Sequence, residues 1–375
     1  MIIKRLQNIR DKYDFPILIS LIILPFISIV FLPVYIYFNG IIWQEPILLV
    51  LGLFLAGTGI TVGYHRLFAH RSFKTSRIIE WFYMITGSMA LQNTILNWCS
   101  DHRRHHKKLD TKEDPYSINE GFFHAHIGWI VKKNSNRISG VADLEKKSAV
   151  MFQNKYYWFI AFFLSFVLPF LIGLIFGRPL GGLLWGGVVR VTLVHHFTFF
   201  INSFCHYLGS RNFDVNTSAR DSGLMAILTF GEGYHNFHHK FQWDYRNGIR
   251  WYNFDPSKWI IKLLSFFSLA YNLRKVPDYL IIQARIDTII EKINKFSSSI
   301  QSKNIYKKKI IRIISRAKMN LDLWKKLEKK YQLIKNRNNS NHIKFYKTEK
   351  EYYKIELQKS ISSLLLILVN IKSFN

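Results

Sequence analysis

Phe15 to Phe38 is 24 residues without a charged side chain, and Tyr156 to Gly177 is another 22. Each is long enough for the roughly 20 apolar residues that carry a helix across a bilayer core. A chain with two such runs folds around lipid, where only helices and closed barrels satisfy every backbone polar group. Ile47 to Tyr64 adds 18 uncharged residues opened by Pro46, and Leu180 to Phe204 is long enough although it carries Arg190, His195 and His196. Four spans are therefore expected, at about 15–38, 46–64, 156–177 and 180–204. The first has too long an apolar core for a cleaved leader, and no small-residue cleavage site follows it. Trp81 to Ser100 is also uncharged, but Gln92, Asn93 and Thr94 make it an interfacial helix rather than a fifth span.

Charge orients these spans. Asn39 to Glu45 holds no Lys or Arg, and the join between the last two spans holds only Arg178. Residues 64–156 hold 15 Lys plus Arg against 8 Asp plus Glu. The positive-inside rule puts that segment and both termini in the cytoplasm. The expected architecture is an all-α integral membrane protein, with four transmembrane helices in two hairpins and a cytoplasmic helical cap. Residues 1–275 would form this membrane domain and 276–375 a basic helical C-terminal extension. Residues 271–375 hold 24 basic and 8 acidic residues, with Ile310, Ile313, Ile314, Leu321, Trp324, Leu327 and Tyr331 at helical spacing. A solvated extension and a helix lying on anionic lipid are the two leading readings of this tail; nucleic acid is not an expected partner. Two cysteines, Cys99 and Cys205, are too far apart and too few for a disulfide scaffold.

Function is carried by histidine. Eight of the 14 histidines fall in three groups: His65 and His70 in HRLFAH, His102, His105 and His106 in HRRHH, and His235, His238 and His239 in HNFHH. On a helix, i, i+3 and i+4 lie within about 100° of one another, so each H-x-x-H-H group aims three imidazoles from one face. His65 and His70 are about 140° apart on an ideal helix, which requires a bend or fray there. Three such groups beside predicted spans point to metal, and eight or nine nitrogens exceed the four of a structural zinc site, so two ions are implied. Imidazole alone does not choose among iron, copper, zinc and nickel. Glu232 stands where it can orient a ligand imidazole through its other ring nitrogen. Arg190 is either a functional charge in the membrane or a bundle-facing group bonded to Asp or carbonyl oxygens. A metal transporter or sensor would place its ligands near the bilayer midplane, where this chain has almost none.

HRLFAH, DHRRHH and GEGYHNFHH, in that order around two membrane hairpins, resemble the boxes of the integral-membrane fatty-acyl desaturases, and of the acyl-CoA delta-9 branch in particular. NSFCH, from Asn202 to His206, resembles that branch's further motif, and FQWDYRNGIRWYNFDPSKW is similar to bacterial members. The resemblance covers about residues 15–275. It implies a histidine-rich di-iron site that uses dioxygen to place a cis double bond, delta-9 in that branch, in a saturated long-chain acyl thioester, most simply acyl-CoA. It puts His65, His70, His102, His106 and His239 on one iron, and His105, His206, His235 and His238 on the other, with Asn202 reaching that metal through water. Gln92, Trp98 and Thr198 match residues that enclose the acyl bend. Asn93 and Asp101 match CoA contacts, and Lys132 with Lys133 falls where a basic pair grips the carrier's phosphates. Ser100 replaces an arginine and Phe199 a tryptophan, so acyl-lipid and acyl-carrier-protein substrates stay open. Iron follows from the chemistry too, because an unactivated methylene has no acidic hydrogen for acid/base residues to remove. A fatty-acyl hydroxylase on the same scaffold is the alternative. With no HPGG haem motif and no GxGxxG fingerprint, electrons are expected from a separate b-type cytochrome, or from a ferredoxin with its reductase.

Overall fold

The structure is a computed structural model that describes residues 12–133, 138–297, 303–335 and 340–373. Among the described residues four helices are long and apolar enough to cross a membrane: Phe15–Asn39, Gln44–Ala69, Ser148–Ile175 and Pro179–Tyr207. The Asp14 carboxylate caps the first by accepting from the Ile17 N–H at 3.2 Å, and Gly40, at φ 65°, ends it. Among the described residues of this helix none is buried, so its whole surface is left for lipid and neighbouring helices.

The second span runs five residues past its expected end at Tyr64 and changes character on the way. Gln44–Thr58 is α-helical, whereas Gly59–Ala69 is π-helical, with i→i+5 bonds. The third starts at Ser148 rather than 156, and its helix is kinked at Tyr156, where φ is −113° and ψ 18°. The helix thus begins before the uncharged run, with Lys155 inside it.

At the end of the bundle away from the histidine boxes, Arg178 ties the two joins together. Its guanidinium donates to the carbonyls of Asn39 and Gly40 at 2.8 and 2.9 Å, and to Glu45, which also accepts from the Tyr35 hydroxyl at 2.6 Å. Arg190 is fully buried and faces the bundle. It donates to the carbonyls of Gly186 (3.0 Å), Ser165 (3.4 Å) and Met89. Two of those carbonyls lie in π-helical stretches, Phe163–Val167 and Leu183–Val189, whose altered ladder leaves oxygens to be satisfied. The carbonyl reading of Arg190 is the one the structure adopts.

Trp81 to Ser100 is not one interfacial helix. Arg77–Ser88 and Ile95–Lys108 are separate, divided by Leu91 and Asn93 at φ 52° and 75°. The Thr94 hydroxyl starts the second by accepting from the Asn97 N–H at 3.2 Å. Arg77–Ser88 crosses the second span at contact distance. A Cβ on Gly59 would stand 2.4 Å from the Gly87 nitrogen, so only glycine permits this approach. Around the crossing Ile60, Tyr64, Phe68, Tyr83, Met84, Ile95 and Val150 form the apolar core. Buried Gln153 accepts from the Ile95 N–H at 2.9 Å and donates to Ser88, also at 2.9 Å. Lys74–Thr75 pairs antiparallel with Ala270–Tyr271.

Residues 276–375, with 211–216, form a second compact unit. Its helices Asp278–Ser297, Lys303–Lys335 and Ser340–Ser373 share a core of Ile286, Ile293, Leu321, Trp324, Leu357 and Leu364. Of the apolar residues read as a helical stripe, Leu321 and Trp324 are buried in this core and Ile310, Ile313 and Ile314 pack against it.

Candidate metal centre and its cavity

The nine histidines named from the sequence converge in two groups. His65, His70, His102, His106 and His238 form one, and His105, His206, His235 and His239 the other, with the possible ligand atoms of each group within 4.8 Å of one another. The π-helical turn brings the first box together: the His70 N–H donates to the His65 carbonyl at 3.0 Å, so residues five apart share a face where an α-helix would separate them. The helix Ile95–Lys108 presents His102, His105 and His106, and the helix His235–Lys240 presents His235, His238 and His239.

The structure exchanges two residues relative to the expected division. His239 joins the second group and His238 the first. On their short helix His235 and His239 are i and i+4, stacked on one face with Nε2 atoms 3.0 Å apart, while His238 points aside to meet His65 and His106 at 3.0 and 3.1 Å.

Nitrogens held about 2.0–2.1 Å from one ion and at right angles to one another lie about 3.0 Å apart. In the first group, whose ligand atoms all lie within 4.8 Å, the short Nε2 separations are 2.8 Å (His70 to His102), 3.0 Å and 3.1 Å. In the second they are 3.0, 3.0 and 3.3 Å. His105 gives its Nδ1–H to Asp114 at 2.8 Å, leaving a bare Nε2 lone pair aimed into the group. Such lone pairs converging in two mostly buried groups call for a cation between them, so the donor set fits a metal pair. The two groups abut, with the His106 ring stacked on that of His239, centroids 4.2 Å apart.

Burial, and then the neighbouring imidazoles, hold His70, His102, His106, His238 and His239 well below the ordinary histidine range, and His235 at about 3. The rings are thus neutral near pH 7, the state that binds metal. Glu232 stands 3.0 Å from the His65 Nδ1 and accepts from Arg66 at 2.9 Å. Burial would raise its carboxyl, but His65 and Arg66 outweigh that and bring it to about 2. Arg66 in turn reaches Asp255 at 3.0 Å.

A cavity of about 770 Å³ adjoins the histidines. Its lining includes His65, His102, His105 and His235, the apolar Ile23, Leu24, Phe162 and Phe166, and Asn202. Every residue expected to meet substrate lines it: Gln92, Asn93, Trp98, Asp101, Lys132, Lys133, Thr198 and Phe199. Gln92 donates to the Thr198 hydroxyl at 2.9 Å and accepts from the Trp98 ring nitrogen at 3.4 Å, so the expected bend-forming trio is one bonded cluster. Ser100 serves the fold instead, accepting from the Ser139 N–H at 2.9 Å. Reading the boxes missed Asp114 on His105 and Tyr116, whose hydroxyl is 3.2 Å from the His102 Nδ1. Both follow the second box within about ten residues, but nothing in their own spacing announces the contact.

Comparison with known proteins agrees with this geometry. The family model described as fatty acid desaturase matches residues 42–271. The chain is 45% identical over 227 residues to a probable acyl-CoA desaturase of Schizosaccharomyces pombe, covering 60% of this chain and 47% of that protein. It is 38% identical over 250 residues to acyl-CoA desaturase 1 of Saccharomyces cerevisiae, covering 66% and 49%. With an sn-1 stearoyl-lipid 9-desaturase of Synechocystis it shares 36% identity over 225 residues, covering 59% and 69%. The matches thus span about half the length of the two yeast proteins. The family match takes in every histidine of the two groups, and the chain belongs to the fatty acid desaturase family.

Proposed function

We propose that this protein is an oxygen-dependent fatty acyl desaturase that places a cis double bond, delta-9 by the names of several relatives, in a saturated long-chain acyl group. The observation that carries the reading is the pair of converging histidine groups at the wall of a largely apolar cavity. The balance of the reaction is one saturated –CH2–CH2– unit, one dioxygen, two electrons and two protons giving one alkene and two waters. Iron held by His65, His70, His102, His106 and His238, and by His105, His206, His235 and His239, would supply with dioxygen the oxidising power that an unactivated methylene requires.

The chain's own residues do the rest. Isoleucine, leucine and phenylalanine side chains line the cavity and exclude water around an alkyl chain. The Gln92, Trp98 and Thr198 cluster fixes the wall beside His102, so that one pair of carbons faces the metals. Asn202, at the end of its helix and lining the cavity together with His105 and His235, would hold a water at the second group. Lys132 and Lys133, which line the same cavity as Asn93 and Asp101, would supply positive charge for an anionic carrier such as CoA. A separate electron donor, a b-type cytochrome or a ferredoxin with its reductase, would deliver the two electrons. The charge pattern of the loops favours the cytoplasmic side for the histidines and both termini.

The test is turnover by the purified chain with stearoyl-CoA, dioxygen and a reconstituted electron donor. A cis monoene is the expected product; a hydroxylated chain would give the activity to the sister reaction. Stearoyl-lipid turned over in place of the CoA ester would reassign the carrier alone.

A further inference from the structure

We propose that Asp110 and Ser218 are positioning residues for His206, so that losing their bond loosens one metal position and spares the other. This rests on reading the two histidine groups as metal positions.

His206 is the ligand candidate with least support from its own element. The histidines of the second and third boxes share a helix with other members of the groups, and His65 and His70 are tied by the His70 N–H to the His65 carbonyl. His206 lies on a four-residue turn, Phe204–Tyr207, after a kink at Ser203, where φ is −97° and ψ −71°. Its ring orientation must be set from outside.

The outside support is a relay of two residues, Ser218 and Asp110, which are 108 positions apart. The His206 Nδ1 is 2.6 Å from the Ser218 hydroxyl, and that hydroxyl is bonded to Asp110 Oδ1. The Ser218 N–H donates to Asp110 Oδ2 at 2.7 Å, so serine and aspartate meet at two points. A carboxylate only accepts, so the serine hydroxyl gives its hydrogen to Asp110 and accepts from the His206 Nδ1–H. That settles the tautomer and leaves the Nε2 lone pair bare, 3.0 Å from the Nε2 of His235. Asp110 is itself held on both sides. Its N–H donates to Asp114 Oδ2 at 3.1 Å, and its carbonyl accepts from the Asn119 amide at 2.9 Å, in a left-handed conformation with φ 62°. Asp114 is the carboxylate that orients His105, so one loop after the second box steers two of the four histidines of the second group.

The experiment compares the full chain in detergent as wild type, Ser218→Ala, Asp110→Asn and Ser218→Thr. Bound iron is titrated, and Mössbauer spectra of the iron-57 protein are recorded. Wild type is expected to bind two irons per chain. In Ser218→Ala one iron should bind as before and the other about 10–100-fold more weakly, with one spectral component changed. Asp110→Asn should move in the same direction, and Ser218→Thr, which keeps the hydroxyl, should restore the second iron. Unchanged affinity for both irons in Ser218→Ala, or loss of both together, would overturn the relay. The thermal midpoint of the metal-free variants, expected to match wild type, separates a positioning effect from misfolding. A wild type that binds fewer than two irons would instead defeat the reading of the histidine groups, and the relay with it.

Discussion

The indole of Trp98 lies stacked on the imidazole of His102, with ring centroids 4.8 Å apart and planes inclined by 24°. One side chain thus forms cavity wall and braces a metal-ligand candidate, which couples the shape seen by the substrate to the geometry of the centre.

Trp98→Ala should retain iron yet lose about 10²-fold in turnover, because reacting carbons displaced by about 1 Å lose that much. The products should also be less uniform in double-bond position. Turnover and product analysis on iron-matched samples check this; wild-type rate and regiochemistry would assign Trp98 to packing alone.

Glu232 lies between His65 and Arg66, buried, and breaking such a buried pair destabilises by about 3–5 kcal/mol. Glu232→Gln should lower the thermal midpoint and weaken metal binding together. The carboxyl is held at about 2, below its ordinary 4.5. Its contribution is therefore complete above about pH 4.5 and lost as pH falls toward 2. The glutamine variant should lack that part of the acid denaturation curve.

Metal removal should leave a steeper dependence on pH. In the folded chain, burial and neighbouring rings keep His70, His102, His106, His235, His238 and His239 neutral well below their ordinary range. The unfolded chain takes up those protons from about pH 6.5 downward, so stability is full above that pH and falls below it, by up to about 1.4 kcal/mol per histidine per pH unit. Thermal midpoints of chelator-treated protein between pH 8 and 5 should drop most below 6.5. A flat profile would contradict the burial of neutral rings.

How much of this was legible in the residues depends on the distance over which each feature is encoded. The spans announce themselves, because absence of charge over 20 or so residues is a local property. The H-x-x-H-H groups do too, since an α-helix converts their spacing directly into a face. His65 and His70 resisted, because their convergence depends on a π-helical turn, which 3.6-residue periodicity does not describe. The division between two metals was carried over from the resemblance, whereas the i, i+4 placement of His235 and His239 on one helix face groups these two together and leaves His238 with His65 and His106. Asp110 and Ser218 were invisible for another reason: they are 108 positions apart, and only the closed fold makes them neighbours.

Arg190 bonds three backbone carbonyls and touches neither the cavity nor a histidine group. Arg190→Lys, which lacks the planar fork, should lower the thermal midpoint while iron content and turnover per folded molecule stay at wild-type values. Loss of turnover at full iron content and unchanged midpoint would instead make Arg190 functional.

The basic unit from 276 onward has its own apolar core and lies beyond the family match, which ends at 271. A chain ending at Lys275 should keep its iron and its turnover. Cutting at 300 would be a poorer test, because it strips the cover from Ile282, Ile286, Ile289 and Ile293. Iron content and turnover of the shorter chain, at least half of wild type, are the expected result.

The most direct test is the fatty-acid profile of desaturase-deficient cells that express this chain, by mass spectrometry with double-bond positions fixed by derivatisation, beside His239→Ala. A new cis monoene that disappears with His239→Ala is the expected result. An unchanged or hydroxylated profile, with the wild-type protein present and iron-loaded, would contradict desaturation as its activity.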